Sequence, residues 1–218
     1  MSVSIGIYDI FAYAIPGFLY LYAFNNILRL LKLPHVEELA AINSTAALVL
    51  LFLAAYLAGH LMDFLSHRLW VRIWYRGHGE ERAYSQFLEM KPGRNVKFDP
   101  KQWSLLFSVI RHNDHETAEM IDKFKATSIM LRNVSFGFLL LGGIAILEIF
   151  FSMFSWQVLF LSMVYLLFSV IALRISDRFN LSFYTIIYQQ ALLYGRNLED
   201  ILLAGRGSPT TRKPKSKS

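Results

Sequence analysis

Residues 134–154 read VSFGFLLLGGIAILEIFFSMF, and after the single Ser155 residues 156–175 read WQVLFLSMVYLLFSVIALRI. Glu148 and Arg174 are the only charged side chains in the two stretches. An α-helix rises 1.5 Å per residue and needs about 20 apolar residues to cross a hydrocarbon core. The pair therefore reads as a transmembrane hairpin with almost no connection. Two earlier runs, Ile10–Leu31 and Ile42–Met62, have the same character. At 55% apolar residues and a mean hydropathy of +0.37, the 218-residue chain is too greasy for an ordinary soluble domain. The expected fold is an all-α membrane protein of four transmembrane helices. A helical cytoplasmic insert stands between spans two and three, and a cytoplasmic helix follows span four.

The orientation comes from the distribution of positive charge. Of 22 Lys and Arg residues, 12 lie between the second and third runs, 8 follow the body of the fourth, and none precedes the first. Arg29 and Lys32 edge the first connection, and the third connection carries no charge. Lys and Arg are retained on the cytoplasmic side of membrane proteins, which places both termini and the long middle segment inside. No basic segment precedes the first run, so a cleaved signal peptide is not expected. The chain has no cysteine, which excludes disulfides, thiolate metal sites and cysteine nucleophiles. Its net charge of +6 suits anionic headgroups, nucleotides or acidic proteins.

Five segments follow: a first transmembrane hairpin over 1–62, an insert over 63–132, a second hairpin over 133–175, C-terminal helices over 176–204 and a basic tail over 205–218. Pro16-Gly17 predicts a kink in the first helix, because proline removes a backbone hydrogen bond and crowds the preceding turn. Ala54/Ala58 and Ala55/Gly59 are small pairs four apart, which permit close helix contact. The second helix should run on to about Tyr75. In the insert, a helix over Glu80–Met90 precedes a loop, Asp99-Pro100 opens another helix, and a third starts near Glu116 and runs into span three. The insert is too small for a confident core of its own, so it should pack on its own helix extensions or on another subunit. Arg174–Tyr194 reads as a further helix rich in aromatics, Leu198–Ala204 as a short one, and the Pro/Ser/Lys tail as disordered.

Three groups of residues could carry chemistry. His60, Asp63 and His67 share a helix face, close enough for two to bind a metal, or else to pair with Arg174 or Arg178 and fix span packing. His112 and His115, flanked by acids, read as a cation site or as a solvated turn. No HExxH, P-loop or GxSxG occurs, so catalysis has little support and no cofactor is expected. Glu148 lies deep in span three, where a carboxylate costs on the order of 2–3 kcal/mol unless it reaches an interface. With Asn25 and Asn26 it is a candidate for pore lining or span packing. The basic surface is the strongest binding candidate: Arg68, Arg72 and Arg76 at helical spacing, then Lys91, Arg94, Lys97, Lys101 and Arg111. Trp103 and other aromatics are interleaved, as phosphate and base contacts would require. Attraction to anionic lipid headgroups is the alternative use of the same charges.

The Tyr8-Asp9…Ile15-Pro16-Gly17 opening, the Phe124–Asn133 approach to span three and the aromatic helix Phe179–Tyr194 complete a layout that resembles small four-span effectors of prokaryotic antiviral systems. Oligonucleotide-controlled channel effectors of the Hailong type are the nearest such group, and the likeness is architectural. The resemblance implies a homo-oligomeric channel or effector in the bacterial inner membrane, controlled from the cytoplasm by a nucleotide or oligonucleotide. A membrane anchor that recruits a cytoplasmic partner protein is the alternative.

Overall fold

The structure, a computed structural model, describes residues 7–33, 45–73, 79–90, 100–151 and 155–193. Within them lie six α-helices and one 3-10 turn, with no strand. Helix α1 spans Ile7–Leu30, α2 Thr45–Ile73, α3 Gly79–Met90, α4 Trp103–Asn113, α5 His115–Phe151 and α6 Trp156–Leu193, the turn Pro100–Gln102 leading into α4. Helices α1, α2, α5 and α6 are each long and apolar enough to cross a membrane. Their outward faces carry large apolar side chains, among them Leu48, Leu57, Phe150, Phe160 and Leu167. That is the reverse of a soluble bundle and the surface that lipid requires.

At 37 and 38 residues, α5 and α6 are each about 55 Å long, against a hydrocarbon core of about 30 Å. Both must project well beyond one side. The aromatic stretch expected as a separate helix from Arg174 is instead the continuation of α6, because neither Gly nor Pro interrupts it. The start of α5 is set by Asp114. Its carboxylate accepts the Thr117 hydroxyl at 2.6 Å and the Thr117 N–H at 3.0 Å, satisfying an orphan donor of the first turn. Those bonds, the hydroxyl's foremost, hold its carboxyl below the usual carboxylate range.

Helices α5 and α6 are joined along a ladder of small residues. Ser128 faces Ser176, Ser135 faces Ser169, and Gly142 faces Ser162, one heptad apart on each helix. Ser135 and Ser169 each donate to the other's backbone carbonyl at 2.8 Å. Ser128 and Ser176 do the same at 3.0 and 2.8 Å, and Ser162 donates to Gly142 O at 3.2 Å. Small polar residues let the two backbones approach and keep their hydroxyls satisfied away from water.

The other hairpin uses glycine. A Cβ on Gly17 would stand 1.7 Å from Ala55 O, and one on Gly59 would stand 2.0 Å from Tyr13 O. Of the two small pairs on α2, it is Ala55/Gly59 that meets α1; Ala54 is exposed and Ala58 half-buried. Helix α1 runs as one element through Pro16. It ends in a Schellman turn: Lys32 N–H donates to Arg29 O and Leu33 N–H to Leu28 O, with Lys32 at φ 55°.

At the insert end, Ala83 and Phe87 of α3 and Leu106 and Ile110 of α4 meet Ile121 of α5 and Phe183, Ile187 and Tyr188 of α6 in one core. The insert thus packs on the extensions of the last two long helices, one of the two options open from the sequence. Arg82 of α3 reaches Asp177 of α6 through both guanidinium nitrogens at 3.2 Å, which fixes the rotation of the insert on α6.

Candidate functional site

Where α1, α2 and α5 leave the apolar zone toward the insert, each contributes polar side chains to one cluster. Asp63 follows the last residues of the second apolar run, and Arg132 and Asn133 precede the third. Arg132 Nη2 donates to Asp63 Oδ1 at 2.7 Å, and Asn133 Nδ2 donates to the same oxygen at 2.8 Å. Tyr20 of α1 donates its hydroxyl to Asn133 O at 2.7 Å. Arg132 Nη1 lies 3.2 Å from His67 Nδ1. Arginine has no acceptor, so Nδ1 accepts and the imidazole is neutral with its proton on Nε2. The Asp63–Arg132 pair is 26% and 14% exposed, shielded enough for its charges to interact strongly.

The partner of Asp63 and His67 is therefore Arg132, and not Arg174 or Arg178, which lie exposed on α6. His60 leaves this face: its ring stacks on Tyr13 at 3.7 Å between centroids and meets the Tyr56 ring edge-on. Among the described residues no three His, Asp or Glu side chains converge as a metal site. His115 lies 3.6 Å from Glu119 one turn along its own helix. Around the cluster, Ser66 Oγ, Trp70 Nε1, Arg132 Nε and Asn133 Oδ1 are buried with no hydrogen-bond partner among the described residues. Three of these are donors. Buried donors are ordinarily satisfied by an acceptor such as water or an anion oxygen.

A shallow, open cleft of about 440 Å³ lies along the surface of α2 beside the cluster, lined by Phe64, His67, Arg68, Val71 and Arg72, all of that one helix. Arg68 and Arg72 are one turn apart on α2 and both exposed, with the Arg68 guanidinium 5.8 Å from the Phe64 ring centre. His67 belongs to both the cleft and the cluster, so whatever occupies the cleft stands next to the Asp63–Arg132 pair.

The remaining basic candidates separate from these two. Lys101 and Arg111 are on the 3-10 turn and on α4, both exposed on the insert. Arg111 is bonded to Asp122 and lies over the Phe107 ring at 4.8 Å. Trp103 packs edge-to-face against Phe183 and Tyr184, both at 5.6 Å, which makes it part of the core and not an open stacking surface. Arg76, Lys91, Arg94 and Lys97 lie outside the described residues, as do the short helix 198–204 and the tail. At the other end of the molecule, Asn26 and Glu148 line one cavity while Asn25 does not.

Sequence reading missed Arg132, Asn133 and Tyr20. The available signal was an Arg-Asn pair directly abutting an apolar run, opposite an Asp placed similarly on another. Lys125 was missed too. Its ammonium lies 4.8 Å from the Phe183 ring and 3.4 Å from Asn180 Oδ1. Comparison of the chain with protein-family models, with curated proteins and with solved structures finds no match to any of them.

Proposed function

We propose that this chain is an oligomeric effector of a bacterial plasma membrane, with both ends and the insert in the cytoplasm, switched by an anionic phosphate-bearing ligand. The observation that carries the reading is the cleft on α2, where His67, Arg68 and Arg72 converge beside the Asp63–Arg132 pair. Guanidinium groups one turn apart can take two oxygens of a phosphate, and an aromatic ring nearby can receive a base. The charge distribution along the sequence supports a cytoplasmic position for this cleft.

The output follows from how α2 is held. Helix α2 is clamped to α1 by Gly17 and Gly59, but its side chains are tied to α5 chiefly at Asp63 and His67. An anion beside His67 competes for the Arg132 guanidinium and changes how strongly the first hairpin is tied to the second. A ligand shifts such an equilibrium only by its difference in affinity for the two arrangements. Four helices in one copy leave little space for water, so an ion path requires several copies about an axis.

The test uses purified protein in planar bilayers, with ATP and a short oligoribonucleotide as probes. Wild type is expected to change conductance on addition from the insert side. The double variant Arg68→Glu/Arg72→Glu is expected to insert equally well and give no response. A response unchanged in that variant removes the site. Absence of current in wild type under all conditions favours the anchoring role, and partner capture by the insert would then be the activity to follow.

A further inference from the structure

At the end of the molecule opposite the insert, two hollows meet. The first is a cavity of about 220 Å³ among α1, α5 and α6, lined by Tyr22, Asn26, Arg29, Glu148 and Tyr165. Two residues of opposite charge, Arg29 and Glu148, thus line one small space. The second is a groove of about 930 Å³ among α1, α2 and α5, which runs from Tyr20 and Leu61, next to the polar cluster at the insert end, to Ile27 and Leu147 at this end, and is bounded mainly by apolar side chains. Leu30 and Ile144 form a wall common to both. A Cβ placed on Gly143, in the floor of the groove, would meet no atom within 4 Å.

The depth of the charged cavity is set by helix ends. Arg29 is in the last turn of α1, which closes in the Schellman turn at Lys32, and Glu148 is in the last turn of α5, which ends at Phe151. Helix ends between consecutive spans mark the membrane edge, which is the level of lipid headgroups. An ionisable side chain of a span is ordinarily aimed at a binding function or a partner charge.

We infer that these two hollows form one site for a phospholipid with a zwitterionic headgroup, held in the leaflet opposite the insert. Its phosphate meets Arg29, its primary ammonium meets Glu148, and one acyl chain lies in the groove over Gly143. The joint presence of a cation and an anion in the cavity selects a headgroup that carries both charges. A purely anionic headgroup would be opposed by Glu148. A helix from a second copy, about 10 Å across, could cover the groove, but it would leave the charged cavity unserved. The proposal is independent of the cytoplasmic ligand, because it involves neither α2 arginine.

The test is titration of delipidated protein in detergent with dioleoyl phosphatidylethanolamine or dioleoyl phosphatidylglycerol, read by native mass spectrometry. Wild type is expected to retain the ethanolamine lipid about tenfold better, the difference that one charge-assisted hydrogen bond supports. Glu148→Gln should abolish that preference, and Arg29→Ala should weaken both lipids. Gly143→Phe, which enters open space and leaves the helix contacts intact, should block both while Arg68→Ala changes neither. Equal retention of the two lipids, or a preference that survives Glu148→Gln, overturns the proposal. A lipid-free dimer that Gly143→Phe dissociates also overturns it, by giving the groove to a second copy.

Discussion

Arg132 donates to Asp63 and to His67 at once, one residue ahead of Asn133 and two ahead of the third apolar run. A guanidinium so close to lipid is costly unless it finds an acceptor, and the Asp63 carboxylate on α2 supplies one. Removing one partner of a fully buried pair costs roughly 3–5 kcal/mol. This pair is partly exposed, so Asp63→Ala is expected to cost about 2–3 kcal/mol. Thermal unfolding in detergent measures it, with Asp63→Asn falling between the two because the amide oxygen still accepts. A melting temperature unchanged in Asp63→Ala would remove the pair from the structural account. The spacing of His60, Asp63 and His67 was legible in the sequence, but the identity of their counter-charge was not. Arg132, Arg174 and Arg178 all lie near the ends of apolar runs, and only helix rotation distinguishes them.

The two hairpins are closed by different chemistry at the level of elements. Between α1 and α2, Gly17 and Gly59 let backbone touch backbone, so any side chain there must separate the helices. Gly59→Val is therefore expected to open the first hairpin, seen as new protease cleavage between α1 and α2. Gly143→Ala should leave the digest unchanged, and equal patterns for the two variants would contradict the glycine contact. Between α5 and α6 the ladder is made of hydroxyls, each of modest worth: about 0.6 kcal/mol for an interhelical hydrogen bond in a membrane protein. Single Ser→Ala changes along it should be mild, because alanine keeps the close approach. The small pairs on α2 were visible in the sequence. The serine ladder was not recognised, because serines one heptad apart look unremarkable until both helices are aligned antiparallel.

Across the whole molecule, α5 and α6 form a continuous spine that carries span packing at one end and the insert core at the other. Lys125 sits in that second region, upstream of the apolar run, with Glu80 on α3, Asp63 and His67 on α2, Arg132 on its own helix and Tyr184 on α6 around it. Burial, followed by the like charge of Arg132, lowers its ammonium to about 8. Burial pushes the Tyr184 hydroxyl up to about 12. An unfolded lysine titrates near 10.4, so between about pH 8 and 10 the unfolded chain binds more protons at this site and stability rises with pH. Above about pH 10 the tyrosine acts in the opposite sense. Lys125→Met is expected to flatten the rise in melting temperature from pH 8 to 10, and a parallel slope in variant and wild type would contradict a desolvated lysine.

Run length, hydropathy and helix-start residues are local quantities, and from them the chain alone determined four long apolar helices, the pieces of the insert, and a start of α5 near Glu116. Partners are not local. That Asp63 meets Arg132, that Trp103 packs against a core, and that Asn26 and Glu148 share a cavity with Arg29 depend on axial register and rotation. Those are set by many small contacts summed along the glycine and serine seams, and only the assembled bundle performs that sum.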